Sequence, residues 1–94
     1  VLARRAARVD SNQKEIVKAL RQAGATVLHL HAVGGGCPDL LVGYRGANLL
    51  MEVKAPGGRL TEDQCAFFDL WEGQKDIVNT PGEAVALLRM YAGE

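Results

Sequence analysis

Residues 37–54 hold the pattern that most restricts how this chain can fold. Two apolar runs, 40–42 and 49–51, flank a short polar turn and are typical of buried β-strands. Three charged residues interrupt this apolar hairpin: Asp39, Glu52 and Lys54. A buried strand does not accommodate two carboxylates and a lysine unless the charges pair or bind a metal. These three side chains are therefore the first candidates for a functional site.

The register of the hairpin decides whether the charges meet. A two-residue turn at 45–46 places Asp39 directly opposite Glu52, with Cβ atoms about 4.5–5.5 Å apart. Lys54 follows Glu52 by two residues and shares its face of the sheet. Arginine is not ideal at a turn position that needs a positive φ. A three-residue loop would shift the register by one and place Asp39 opposite Val53.

The close carboxylates admit two interpretations. Two negative charges at this distance repel one another unless a cation lies between them, and Mg²⁺ prefers oxygen ligands of this kind. Alternatively, Asp39, Lys54 and Glu52 form an ion-pair cluster on a surface hairpin.

The same residues carry a family resemblance. Pro38-Asp39, a spacer and then Glu52-Val53-Lys54 resemble the motif of the PD-(D/E)XK nucleases. The surroundings resemble one branch of that superfamily, the VRR-NUC (virus-type replication-repair nuclease) module, over residues 10 to about 72. The segments that carry this narrower resemblance are 34–40, 52–60, Gln64 and Glu15.

The resemblance implies a restriction-endonuclease-like α/β core of order α-β-β-β-α-β-α, with a central mixed sheet flanked by helices. It implies metal ligation by Asp39, Glu52, the backbone carbonyl of Val53 and Glu15. It assigns catalytic roles to Lys54 and Gln64 together with the two hairpin carboxylates. The implied cofactor is Mg²⁺, with Mn²⁺ as a substitute.

The first helix is predicted to begin near Asp10, in a capping box with Gln13, and to end at Gly24. From spacing alone Glu15 could instead point to solvent and pair with a neighbouring lysine. A strand is predicted over 26–33. His29 and His31 would share one face of this strand. There they could bind a metal as a pair, line the groove beside Asp39, or pack on the sheet surface.

The second helix is predicted to begin at a capping box of Thr61 and Gln64. This cap alone explains Gln64, and we expect the capping and catalytic roles to be difficult to fill at once. This helix carries an apolar stripe formed by Phe67, Leu70 and Trp71. The stripe favours packing against the core, and the alternative is a dimer interface. A strand over 76–79 and a helix capped by Thr80 complete the chain.

Five residues are candidates for contact with DNA phosphates: Lys14, His31, Gly35, Gly36 and Arg59. Consecutive glycines allow close approach of backbone amides to a ligand, although the 34–36 run could equally be a flexible connection. Arg59 could likewise be an ordinary exposed loop residue.

Charge and length fit a small nucleic-acid enzyme. The 94 residues have no net charge, but 1–59 hold nine Lys or Arg against four Asp or Glu, which favours contact with phosphates. We expect one domain over 1–94, with 1–9 as a basic arm that is either a flexible terminus, a frayed helix or a segment along a nucleic-acid backbone. Cys37 and Cys65 suit a cytoplasmic protein with free thiols, and no apolar run suggests a membrane span.

The leading functional hypothesis is a metal-dependent DNA endonuclease that selects branched DNA such as four-way junctions. The resemblance further implies a homodimer from a phage or bacterium. The alternatives are a less selective metal-dependent nuclease or phosphoesterase, and a non-catalytic nucleic-acid-binding or assembly module that has kept the fold.

Overall fold

The computed structural model describes residues 12–94 and contains three helices and four strands within them. Their order is α-β-β-β-α-β-α, and a four-stranded mixed sheet is flanked by helices, so the predicted fold class is confirmed. The elements are α1 (Gln13–Gln22), β1 (Thr26–His29), β2 (Leu40–Tyr44), β3 (Ala47–Val53), α2 (Glu62–Leu70), β4 (Lys75–Val78) and α3 (Pro81–Tyr91).

The sheet has the strand order β1-β2-β3-β4. The first two pairings are antiparallel, and β4 runs parallel to β3. In the central hairpin Tyr44 pairs with Ala47 and Leu40 with Met51. This is the register predicted from a two-residue turn, so the alternative with a three-residue loop is wrong.

The turn between β2 and β3 keeps its register despite an unfavourable residue. Arg45 has a φ of 48° and Gly46 a φ of 83°, so both central residues are left-handed, as the twist of a tight hairpin requires. The Arg45 guanidinium lies 5.3 Å from the centre of the Tyr44 ring and 2.8 Å from a Glu94 carboxylate oxygen. The Tyr44 hydroxyl donates to the same Glu94 carboxylate at 2.9 Å. These contacts hold the arginine in place.

The hydrophobic core lies between one face of the sheet and helices α1 and α3. Alternate residues of the hairpin point into it, because successive side chains of a strand face opposite sides. The fully buried core side chains include Ile16, Leu20, Leu40, Val42, Met51, Val53, Val78 and Leu88. It follows that Asp39, Glu52 and Lys54, at the intervening positions, belong to the opposite face.

Two boundaries differ from the prediction at the start of the chain. Helix α1 begins at Gln13 with Asn12 as its N-cap. Gln13 is therefore the first residue of the helix and not the third, so it cannot form the predicted capping box. Asp10, the other predicted member of that box, lies outside the described residues. Strand β1 ends at His29 instead of residue 33, since the chain turns there and the Val33 amide bonds back to the Leu30 carbonyl. The predicted end of α1 at Gly24, with a φ of 104°, is confirmed.

Both later helices begin as predicted, but α2 does not pack as predicted. Thr61 and Gln64 form a full capping box, and the Thr80 hydroxyl accepts from the Glu83 amide at the start of α3. Helix α2 buries none of its residues. The Leu70 side chain is 79% exposed and Trp71 is 44% exposed, while Phe67 is half-buried and stacks on Trp71. The expectation of core packing is therefore wrong for this stripe.

The structure also bears on two expectations about the surroundings of the protein. Cys37 and Cys65 are both free thiols. Among residues 12–94 we find no helix with the length and apolar character needed to cross a bilayer.

The position of the core predicts a sharp contrast between two apolar helix residues. Leu20→Ala on α1 removes a fully buried side chain, and we expect it to cost about 2–5 kcal/mol of unfolding free energy. Met90→Ala on α3 removes one that is 59% exposed, and we expect a change within about 0.5 kcal/mol. Urea denaturation followed by circular dichroism measures both. Equal losses of unfolding free energy in the two variants would show that Leu20 does not lie in the hydrophobic core.

Candidate active site

The hairpin brings Asp39, Glu52 and Lys54 together at one end of the sheet. Asp39 immediately precedes β2, and its Oδ2 accepts a hydrogen bond of 2.8 Å from the Val53 amide. The Leu30 amide donates to the Asp39 carbonyl at 2.7 Å, which holds the backbone there. The Lys54 Nζ lies 3.6 Å from Glu52 Oε2. The expected clustering of the three charges on one face is therefore observed.

Glu52 is the most unusual ionisable group in this cluster. Its side chain is only 2% exposed, and its Oε1 is buried with no hydrogen-bond partner within residues 12–94. Burial and, after it, the negative charge of Asp39 together raise the pKa of Glu52 to about 8, while Lys54 acts in the opposite direction. Burial, followed by the charges of Glu52 and Asp39, also raises the pKa of the Cys37 thiol. The site thus carries an excess of negative potential.

Gln64 completes the helix cap and also contacts the site, two contacts that we expected to compete, while its catalytic role stays a prediction. Its Oε1 accepts from the Thr61 amide at 2.8 Å and so completes the helix cap. Its Nε2 donates to Glu52 Oε2 at 3.0 Å. The expectation of conflict was wrong because the primary amide has an acceptor end and a donor end, which point at different partners. The start of α2 is therefore fastened directly to the site.

Glu15 is placed differently from the other candidate ligands. Its side chain is exposed on α1, and no group of three or more His, Cys, Asp or Glu suited to a metal occurs between residues 12 and 94. The structure therefore does not bring Glu15 to the two hairpin carboxylates, and its role as a ligand stays a prediction. The predicted shared face of His29 and His31 is not observed either. His29 is the last residue of β1, and His31 lies in the turn that follows the strand.

Two asparagines that the sequence did not single out hold the backbone of Lys54. The Asn12 Nδ2 donates to the Lys54 carbonyl at 3.1 Å and to the Asn79 carbonyl at 2.7 Å. The Asn79 Nδ2 donates to the same Lys54 carbonyl at 3.0 Å, and the Lys54 amide donates to Val78. Asn12 could have been recognised as a cap, but not as a partner of a residue 42 positions away.

Gln13 is a further buried polar residue near this end of the sheet. Its side chain is 3% exposed, its Nε2 lies 3.4 Å from His29 Nδ1, and its Oε1 is buried without a partner among the described residues. The sequence pattern marks Gln13 only as a capping residue. Its burial is visible only once α1 is packed against β1.

The candidate phosphate-binding residues lie at the surface, with one exception. Lys14, His31, Gly35 and Arg59 are exposed, and their contact with DNA stays a prediction. Gly36 is half-buried, has a φ of 82°, and a Cβ there would collide with the backbone carbonyl of Asp63 in α2. Close packing of the glycine run against α2 is therefore one reason for glycine at this position.

The donor set fits a hard divalent cation. Two carboxylates lie together, one of their oxygens is buried with no partner among residues 12–94, and burial followed by repulsion from Asp39 raises the pKa of Glu52. A cation between them would satisfy the unpartnered oxygen and relieve the repulsion. The backbone amide of Val53 is held by Asp39, whereas ligation by its carbonyl stays a prediction.

One protein-family model matches most of the chain. The model of the VRR-NUC domain matches residues 5–84 of the chain. The chain belongs to the VRR-NUC family. It is thus a nuclease-type domain, and the matched region contains the whole hairpin, α1 and α2. No curated protein and no solved structure matches this sequence.

The raised pKa of Glu52 predicts a stability that depends on pH in a chelating buffer. The folded state keeps the Glu52 proton up to about pH 8, whereas the unfolded chain releases it near 4.5. The contribution of this group is therefore complete below about 4.5 and is lost as pH rises towards 8. We expect Glu52→Gln to remove this loss, and thermal melts at several pH values measure it.

A matched control for this experiment is Glu72→Gln, which changes an exposed carboxylate after α2. It is expected to leave the pH dependence as in the unmodified protein. If Glu52→Gln and Glu72→Gln gave the same pH dependence, Glu52 would not be held in an unfavourable buried environment.

Proposed function

We propose that this VRR-NUC domain is a metal-dependent DNA endonuclease that hydrolyses phosphodiester bonds at the Asp39–Glu52–Lys54 site. The observation that carries the proposal is the buried Oε1 of Glu52, which has no partner in the described part of the chain, beside a second carboxylate and a lysine. Asp39 and Glu52 would hold Mg²⁺, or Mn²⁺ in its place. Such an ion polarises the phosphoryl oxygen and lowers the pKa of a bound water.

Lys54 supplies the positive charge for the reacting phosphate in this proposal. Its side chain is 16% exposed, so the ammonium is partly shielded from solvent, where its charge acts more strongly on a developing negative charge. Hydrogen bonds from Asn12 and Asn79 to its carbonyl keep its backbone in place. Gln64 orients Glu52 through Oε2, which leaves Oε1 available as a ligand.

Removal of the lysine tests the catalytic assignment. We expect Lys54→Ala to reduce DNA cleavage in Mg²⁺ or Mn²⁺ by at least about a hundredfold, because the transition state loses its charge partner. Binding to DNA should remain. Loss of cleavage is measured with labelled duplex and four-way junctions, with EDTA in the blank reaction. Retained binding to DNA is measured by a gel-shift titration.

Arg89→Ala is the matched control, since it removes an exposed cation from α3, on the other face of the sheet from the carboxylates. It should cut at the rate of the unmodified protein. Absence of cleavage by the unmodified protein with either metal would favour the alternative of a non-catalytic nucleic-acid-binding module.

We further propose that two copies of the chain form a homodimer through the face that carries α2. Support comes from the exposed Leu70 and Trp71 and from a leucine row in register across the same sheet face. In that row Leu50 is buried, Leu41 is half-buried and Leu28 is 61% exposed. The apolar face of the sheet is therefore increasingly exposed towards β1. A two-fold dimer would present two sites to the two strands of a branched substrate. The free thiols Cys37 and Cys65 fit a cytoplasmic setting.

A charge in the apolar surface tests the dimer. Leu70→Glu should shift the mass measured by light scattering after gel filtration from two copies to one, because it buries a carboxylate at the interface. The control Met90→Glu changes an exposed residue on α3 and should leave the mass unchanged. A single-copy mass for the unmodified protein would refute the dimer. Equal cleavage of junction and linear duplex would favour the less selective nuclease.

A further inference from the structure

A groove of about 660 Å³ lies between α1 and the edge strand β1. It begins at the end of the sheet that holds the carboxylates and follows α1 away from them. Its lining residues are Gln13, Lys14, Val17, Lys18, Arg21, Gln22, His29 and His31. The lining thus contains three cationic side chains, two histidines and no carboxylate, which favours an anionic ligand.

The three cations form one row along α1. Lys14, Lys18 and Arg21 are separated by four and three residues, so they share a face of the helix. All three are exposed, and no ion pair joins them to an acid of residues 12–94. The row spans about 10 Å of helix axis, a length along which one strand of DNA carries about three phosphates. Charge and spacing therefore match a polyanion better than a single small anion.

The floor and far wall of the groove fit a sugar–phosphate chain. Val17 is buried between the cationic side chains and gives an apolar floor beneath their aliphatic stems. On the β1 side, His29 and His31 offer ring nitrogens as hydrogen-bonding groups. Gln13 lies at the site end, with a buried and unpartnered Oε1. The Arg21 Nη2 donates to the Val27 carbonyl at 3.4 Å, which ties the far end to the strand.

The groove is joined to the candidate active site through the backbone. His29 pairs with Leu40, the residue after Asp39, and the next amide, that of Leu30, donates to the Asp39 carbonyl. The core-facing groove and the carboxylates lie on opposite faces of the sheet, at the same end. A nucleic-acid strand that leaves the carboxylates can therefore pass around the β1 edge into the groove.

We propose that this groove binds the sugar–phosphate backbone of a DNA strand next to the cleavage site. Lys14, Lys18 and Arg21 contact successive phosphates, and His29 and His31 line the opposite wall. The proposal rests on the proposed DNA endonuclease function and adds the path of the substrate. It also assigns DNA contacts to Lys18, Arg21 and His29, beyond the phosphate candidates at Lys14 and His31.

The test uses the salt dependence of DNA binding in a Lys54→Ala background, where no cleavage interferes. The double change Lys14→Gln and Lys18→Gln leaves the Arg21 hydrogen bond to β1 intact. The slope of log affinity against log salt should fall by about 2, since each lost phosphate contact on duplex DNA removes about 0.9. Affinity at 100 mM salt should fall by about tenfold or more. Thermal melts confirm that the variants remain folded.

The matched control is Lys75→Gln with Arg89→Gln in the same background. It removes the same net charge from β4 and α3, outside the groove lining. It should keep the slope of the Lys54→Ala parent. Equal slopes for the groove variant and the control would refute DNA binding by the groove. If the unmodified protein still cut DNA, the proposed endonuclease function would be unaffected by that result. Failure of the unmodified protein to cut, and of the parent to bind DNA, would overturn both.

Discussion

The burial of the Glu52 carboxylate is the constraint on which the rest of this structure depends. An ionised carboxylate that is 2% exposed, beside Asp39 and with one oxygen unpartnered within residues 12–94, is unfavourable unless a proton or a cation neutralises it. The hairpin register creates this situation, since it sets Asp39 opposite Glu52. Accumulated negative potential of this kind is expected of a site that binds a hard cation.

Contacts around the site hold its backbone from several elements. Asn12 from the start of α1 and Asn79 from the end of β4 both donate to the carbonyl of Lys54. Gln64 joins the first turn of α2 to Glu52, and Gly36 packs against the same turn. A helix that buries none of its own side chains is thereby fastened through its polar end. Its apolar residues Leu70 and Trp71 remain exposed.

Several expectations failed where a local pattern was extended beyond its range. The alternating residues after His29 predicted a longer strand, but the chain turns there and the Val33 amide bonds back to the Leu30 carbonyl. The stripe at Leu70 and Trp71 resembled a core face, because helical spacing does not reveal whether another element covers it. Glu15 is exposed on α1, and its role as a metal ligand stays a prediction.

The sequence by itself determined the order of the elements, the hairpin register, the second helix cap and the meeting of Asp39, Glu52 and Lys54. These features depend on short-range rules, such as period-two alternation and turn length, which operate between neighbours. Tertiary structure decided the contacts of Asn12, the burial of Gln13 and the groove along α1. Such features arise when distant segments pack, and spacing within one segment carries no information about the partner it meets.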